Sequence, residues 1–260
     1  MEYSTIRIES AGPIAVVTLN RPDQRNSLND LLIRELTDAL YALNRVPDLR
    51  VVLLTGNGPA FCAGMDLDYM QASIQKTHEE NLEDARNLHR LLKTINQLKK
   101  VVVAVVNGPA VGGGCGLAAA CDYVFIARKK GRMGVPEVRL GFVPAIILHY
   151  LMKRMGCAKA REFVLQGATA DAESCVALGL ATGAVDDEKL LEFASDFASR
   201  IASETSSSSI GLTKELLNRF DEMDIEHALD YADQLNALTR KTDDFRKGIS
   251  SFLNKEELKW

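Results

Sequence analysis

Dense runs of apolar residues occupy positions 14–19, 51–55, 101–106 and 123–127. Runs of this length, rich in Val, Ile and Leu and bounded by polar or glycine-containing chain, predict buried strands. Between them, residues 28–43 and 82–98 place apolar side chains every three or four positions, as a helix with one buried face requires. Strand and helix alternate, which predicts an α/β fold, because parallel neighbours need crossover helices rather than tight turns. Past residue 145 the pattern predicts helices alone, over 146–155, 158–165, 170–178, 190–203, 210–220 and 225–238. The hydroxyl-rich stretch 205–209 reads as a linker whose last serine, Ser209, caps the next helix. No repeat of solenoid length interrupts this order.

Composition narrows the class. Hydrophobic residues at 47% and charged residues at 25% are a globular balance, and 260 residues suffice for a sizeable core. The expected division is a core over 1–200 and a helical region over 201–260. Lys and Arg total 31 against 35 Asp and Glu, so the net charge of -4 gives no reason to expect a nucleic-acid partner. The five cysteines are scattered, with neither zinc-ribbon nor redox-dithiol spacing, so no metal site is expected and buried free thiols are. Neither a signal segment nor an apolar run near the ~20 residues of a bilayer span occurs, so no membrane partner is expected and the expected location is cytoplasmic.

Two strand ends carry glycine turns. The run 101–106 leads through Asn107-Gly108-Pro109 into Gly112-Gly113-Gly114-Cys115-Gly116 and an alanine-rich stretch, which reads as strand, glycine loop, helix. The run 51–55 leads through Gly56-Asn57-Gly58 into Phe61-Cys62-Ala63-Gly64-Met65-Asp66-Leu67. Glycines before a helix let the backbone approach a ligand and aim free N–H groups at negative charge, though they also serve close helix packing. If the two turns meet, one N–H from each could hold a developing oxyanion. Asp66 is placed to order the first turn of a following helix. The Lys-Ser/Thr ending of a phosphate loop and the spaced glycines of a dinucleotide site are both absent.

Asn20-Arg21-Pro22 with Asn26-Ser27-Leu28, the 61–67 segment, Asn107-Gly108 with the triple glycine, Cys121-Asp122, and Pro136-Glu137 with Leu140-Gly141 follow in an order that resembles the enoyl-CoA hydratase/isomerase (crotonase) family. The likeness extends to the final Lys259-Trp260. It implies a crotonase-type α/β spiral of ββα units, a C-terminal helical trimerisation region, a homotrimer or dimer of trimers, and an acyl-CoA thioester substrate. No separate cofactor is implied, coenzyme A being part of the substrate. It further implies that the amides of Met65 and Gly113 hold the thioester oxygen and that Glu137 is the acid/base. For coenzyme A it points to Gln24, Arg25, Ala63 and Lys255, with Asp23 where some relatives carry lysine.

The chain also departs from the family pattern. A second carboxylate is implied at position 116, which is glycine, so Glu137 must serve alone or the reaction must need one group. The run 136–146 resembles methylglutaconyl-CoA hydratase-like proteins, so hydration or dehydration of an enoyl thioester, branched or not, comes first. Δ3-Δ2 enoyl-CoA isomerisation is the alternative, decarboxylation or thioester hydrolysis stand behind it, and a noncatalytic acyl-CoA-binding oligomer is the alternative outside enzymes. Val135, Val138 and Phe142 are expected to raise the pKa of Glu137 by desolvation. The bulky segment 145–149 is expected to pack a helix against the core, with restriction of straight long chains as the other possibility. His149 is expected to be a helix histidine rather than a second base.

Overall fold

The computed structural model describes residues 3–260, apart from the side chain of Asp221. The chain runs through β1 (Ile6–Ala11), β2 (Ile14–Leu19), α1 (Asp30–Asn44), β3 (Val51–Gly56), α2 (Leu67–Ser73), α3 (His78–Gln97), β4 (Val101–Val106), β5 (Pro109–Val111), α4 (Gly113–Ala120), β6 (Tyr123–Ala127) and β7 (Arg132–Gly134). It continues with α5 (Ala145–Met155), α6 (Cys157–Leu165), β8 (Thr169–Asp171), α7 (Ala172–Leu178), β9 (Gly183–Val185), α8 (Leu190–Glu204), α9 (Ser207–Glu222), α10 (Ile225–Thr239) and α11 (Asp243–Asn254).

Among the described residues, six strands form a sheet in the order β1-β2-β3-β4-β6-β9, antiparallel at the β1–β2 hairpin and parallel elsewhere. Every residue of β4 is buried, as befits a central parallel strand covered on both faces. Val102, Ala104 and Val106 face the larger core with α1 and α3, while Val101, Val103 and Val105 face α8. Ala194, Ala198 and Ala202 recur every fourth residue along α8, and such small side chains let it lie close on the sheet.

β5, β7 and β8 form a second, smaller sheet, and Cys62 extends it by bridging to Ala110. Each turn of the chain thus passes from a long strand to a short segment of the small layer and then to a helix. This is the crotonase spiral, with a helical C-terminal region.

The four predicted strands and the main helices are present, with helix ends moved by a few residues. The tail is not helical throughout: β8 takes residues 169–171 and β9 closes the edge of the large sheet, so α7 begins at Ala172 rather than at 170. Short strands of three residues are too brief to show a period. The cap of α9 is Ser206, whose hydroxyl accepts the Ser209 amide, because Ser207 and Ser208 are already helical. Four cysteines are buried and free, whereas Cys157 is exposed at the start of α6. Burial raises the Cys62, Cys115, Cys121 and Cys175 thiols, which keeps them inert.

The helical tail is pinned to the sheet by one buried cation. Lys214 on α9 donates to the Lys100 carbonyl at 2.9 Å and to Asp122 Oδ2 at 2.6 Å, and the same carboxylate oxygen accepts the Val102 amide. Among the described residues, no helix is long and apolar enough to cross a membrane.

Candidate active site

The two glycine turns meet. Cys62 N–H donates to the Pro109 carbonyl and Val111 N–H to the Cys62 carbonyl, so the 62–65 segment runs parallel to the chain leaving β5. The approach is too close for side chains: a Cβ on Gly114 would stand 2.2 Å from the Cys62 carbonyl oxygen. Three residues beyond the Cys62–Ala110 bridge on each strand come Met65 and Gly113, and a Cβ built on Gly113 lies 3.9 Å from Met65 Sδ.

The Met65 amide is left available by how its segment is held. Leu28 N–H bonds to the Gly64 carbonyl at 2.7 Å, and Asp66 N–H bonds to the Leu28 carbonyl at 2.9 Å. In a parallel bridge of this kind the flanking residues make the bonds and the middle N–H points away. Gly113 is the first residue of α4, where an N–H has no partner within the helix and the helix dipole adds positive potential.

Asp66 fixes this loop. Its carboxylate accepts from Arg21 Nη2 at 3.0 Å and from Ser27 Oγ at 2.9 Å, and its other oxygen caps α2 through the Asp68 and Tyr69 amides. Burial opposes its ionisation, but these hydrogen bonds outweigh it and hold the carboxyl below its usual range. The predicted helix-ordering role of Asp66 is observed; its Arg21 and Ser27 partners lie about forty residues away in sequence and gave no local signal.

Glu137 begins a short 3₁₀ turn, Glu137–Leu140, closed by Gly141 in the left-handed region. The amide of Gly112 donates to the Gly134 carbonyl at 2.8 Å, which draws the triple glycine against the chain leading to Glu137. Gly112 has φ +52°, and a Cβ there would stand 2.9 Å from Glu137 Oε1, so only glycine admits the carboxylate at this place. Oε2 is buried and has no hydrogen-bond partner in the protein. Burial therefore raises the Glu137 pKa. The apolar surroundings differ from expectation: Val135 is buried, Phe142 shares the cavity with Glu137, and Val138 turns outward as an exposed side chain.

Met65, Gly113 and Glu137 border one cavity of about 400 Å³. Its walls are otherwise apolar along Phe142, Val143 and Ile146, with polar side chains from α2 and α3. Ile147 also reaches it and fills the place of a side chain at 116: a Cβ on Gly116 would meet Ile147 Cγ2 at 2.1 Å. The segment 145–149 thus packs α5 onto α4, and it walls the cavity as well. His149 is exposed, stacks edge-on with Tyr150 at 5.1 Å, and lies outside this cavity.

Of the residues considered for coenzyme A, three come together. The Ala63 amide donates to the Arg25 carbonyl at 3.0 Å, bringing exposed Gln24 and Arg25 beside the turn that carries Met65. Lys255 is not brought there within the chain; it is exposed at the end of α11, in the left-handed conformation. Tyr69, Asp84 and Lys76 escaped the sequence reading, although Asn81, Asp84 and Ala85 continue the apolar stripe of α3 at helical spacing.

The chain matches the sequence profile described as Enoyl-CoA hydratase/isomerase over residues 9–260. It is 38% identical over 94% of its length to a Thermus thermophilus protein provisionally named enoyl-CoA hydratase, covering 96% of that relative. It is 34% identical to the 2,3-dehydroadipyl-CoA hydratase of Escherichia coli, covering 93% of this chain and 92% of the relative. A crystal structure of an enoyl-CoA hydratase from Shewanella pealeana superposes with a TM-score of 0.92 at 28% identity, over 100% of this chain and 97% of that one. Fold and sequence agree: this chain is an enzyme of the enoyl-CoA hydratase/isomerase family.

Proposed function

We propose that the protein adds water reversibly to an enoyl-CoA thioester, with Glu137 as its single acid/base and the Met65 and Gly113 amides as the oxyanion donors. The observation that carries this reading is the shared cavity, in which a half-buried carboxylate with one buried, unpartnered oxygen faces the same space as both amide-bearing residues. Glu137 takes a proton from water as the water oxygen bonds to C3, and the C2–C3 π pair moves to the thioester as an enolate. The amides bind the enolate oxygen more strongly than the ground-state carbonyl. Glu137 then returns its proton to C2 and the carbonyl reforms, so one water is consumed and the enzyme is unchanged. A raised pKa suits both steps, making the carboxylate a better base and its acid form easier to reach than that of an exposed glutamate.

Isomerisation of a 3-enoyl thioester is the second reading. It is favoured by Ile147, an apolar side chain standing where the family resemblance implies a second carboxylate. There Glu137 would remove a proton at C2 and return it at C4, with no water consumed. Exposed apolar side chains on the last helices, among them Leu217, Leu229, Leu238 and Leu253, support the homotrimer or its dimer as the working form. Coenzyme A enters with the substrate, at the Gln24, Arg25 and Ala63 turn; Lys255 belongs to the proposal only as a residue supplied across subunits.

Turnover of crotonyl-CoA and 3-hexenoyl-CoA in deuterated water tests the reading. A 3-hydroxyacyl product with deuterium at C2, lost in Glu137→Gln, is the expected result. Double-bond migration without water addition would establish the second reading instead. Binding of both thioesters without turnover would overturn both in favour of a noncatalytic acyl-CoA binder.

A further inference from the structure

The wall that α2 and α3 give to the cavity sets four polar side chains among Met70, Ala85 and Leu88. Tyr69, Ser73, Asn81 and Asp84 face it. Two of these are already engaged: Ser73 Oγ donates to the Met70 carbonyl at 2.7 Å and Asn81 Nδ2 to the Ser73 carbonyl at 3.0 Å. Asp84 differs. Its Oδ2 accepts from Lys76 Nζ at 2.5 Å, and the Lys76 ammonium sits 4.3 Å from the centre of the Tyr69 ring. Burial first, and then the neighbouring Asp84 carboxylate, hold the Tyr69 hydroxyl above its usual range.

An ionised carboxylate has about four acceptor positions, so Lys76 and Tyr69 leave Asp84 with capacity for a further donor. Lys76 Nζ forms an ion pair with Asp84 Oδ2, so the two side chains together are close to neutral. A ligand group of either net charge would therefore gain little from the pair while losing its hydration. A neutral donor gains a charge-assisted hydrogen bond at small desolvation cost.

The position fits the far end of a bound acyl group. Tyr69 comes four residues after Met65, and Asp84 lies eight residues, about 12 Å along α3, from Leu92, whose Cδ1 approaches the position of a Cβ on Gly116. Leu88, one turn from Asp84 on the same face, lines the cavity between.

We propose that Tyr69, Asp84 and Lys76 read the free end of the acyl group, and that this enzyme prefers thioesters ending in a hydroxyl over those ending in a methyl or a carboxylate. The inference rests on the reading of this cavity as an acyl-CoA site and adds a substrate class to it.

Calorimetric binding of saturated, unreactive thioesters tests the inference apart from catalysis. The probes are butanoyl-, hexanoyl- and octanoyl-CoA with their ω-hydroxy and ω-carboxy counterparts. At the matching length the ω-hydroxy thioester should bind about tenfold tighter than the unsubstituted one, as a hydrogen bond to a charged group provides. The ω-carboxy thioester should bind no better than the unsubstituted one. Asp84→Leu should erase the hydroxyl preference, and Lys76→Met should weaken ω-carboxy binding further by leaving Asp84 uncompensated. Tyr69→Phe, which keeps the ring, should reduce the preference and guards against misfolding of the Asp84 variant.

Equal binding of all three end groups, a preference for the carboxylate, or a hydroxyl preference that survives Asp84→Leu and Tyr69→Phe would each overturn the inference. Glu137-dependent turnover without a hydroxyl preference would defeat it while leaving the proposed function standing. A hydroxyl preference with turnover independent of Glu137 would do the reverse. Failure of every thioester to bind would defeat both.

Discussion

Ile147 occupies the space of a side chain at Gly116: its Cγ2 lies 2.1 Å from where a Cβ on residue 116 would stand, and Leu92 Cδ1 lies 3.6 Å from the same point. The missing carboxylate is therefore a filled position between α4 and α5 and not a void.

Gly116→Ala should consequently destabilise the protein, since overpacking of a closed core costs about 1–3 kcal/mol and exceeds the modest helix-propensity gain of alanine. Ile147→Ala should also destabilise, by opening a cavity. In the double variant the two should partly cancel, with a coupling of about 0.5–3 kcal/mol. Urea unfolding of the four proteins measures it, and strictly additive losses would mean that the two side chains do not compete for one space.

Glu137→Gln should lower kcat by about 10²–10⁴-fold, the usual contribution of a positioned acid/base. The same change should stabilise the fold at high pH. The folded-state pKa of Glu137 is raised by burial, so the stability linked to it is complete below the ordinary value of 4.5 and is lost as pH rises through the raised value. Melting temperatures of wild type and variant should therefore be close near pH 4 and diverge in favour of the variant toward pH 8. Identical curves throughout would show that the carboxylate is not desolvated.

Gly113→Pro removes one amide donor at the first residue of α4, where proline is compatible with a helix. A Cβ at this position meets Leu28 Cδ1 at 2.8 Å and Met65 Sδ at 3.9 Å, contacts that Gly113→Ala and Gly113→Pro share. Proline should therefore reduce kcat by about 10²–10³-fold beyond alanine, as loss of one oxyanion donor does. Steady-state kinetics of the two variants make the comparison, with circular dichroism to check folding; equal kcat values would remove Gly113 from the oxyanion site.

Asp66→Asn should lower kcat more than it raises KM, because the carboxylate braces the loop that presents the Met65 amide without reaching the cavity itself. The folded-state pKa of Asp66 is held below 3.8, so its stabilisation is present above that value and is lost as pH falls through the lower one. Wild type should be the more stable protein at neutral pH, and its advantage should disappear in acid. Thermal melts across that range check the sign.

The strands at 14–19 and 101–106, the amphipathic α1 and α3, and the glycine turns at 56–64 and 112–116 were all legible in the order of the amino acids. Each of these is local: strands of a covered sheet must be mostly apolar, one-sided helices must repeat at about 3.6 residues, and backbone that approaches backbone must lack a Cβ. The position of Glu137 in the chain was legible in the same way, through its family motif. What its surroundings are was not. Val138, next to it in sequence, turns to solvent, while Phe142, five residues on, shares its cavity, because a 3₁₀ turn and a left-handed glycine intervene. It took the assembled fold to set Ile147 in the place at Gly116, Arg21 and Ser27 against Asp66, and Tyr69 with the Lys76-bound Asp84 on the cavity wall. These are meetings between residues about eight to forty-five positions apart, and a repeat pattern along one chain carries no information about which distant faces will be pressed together.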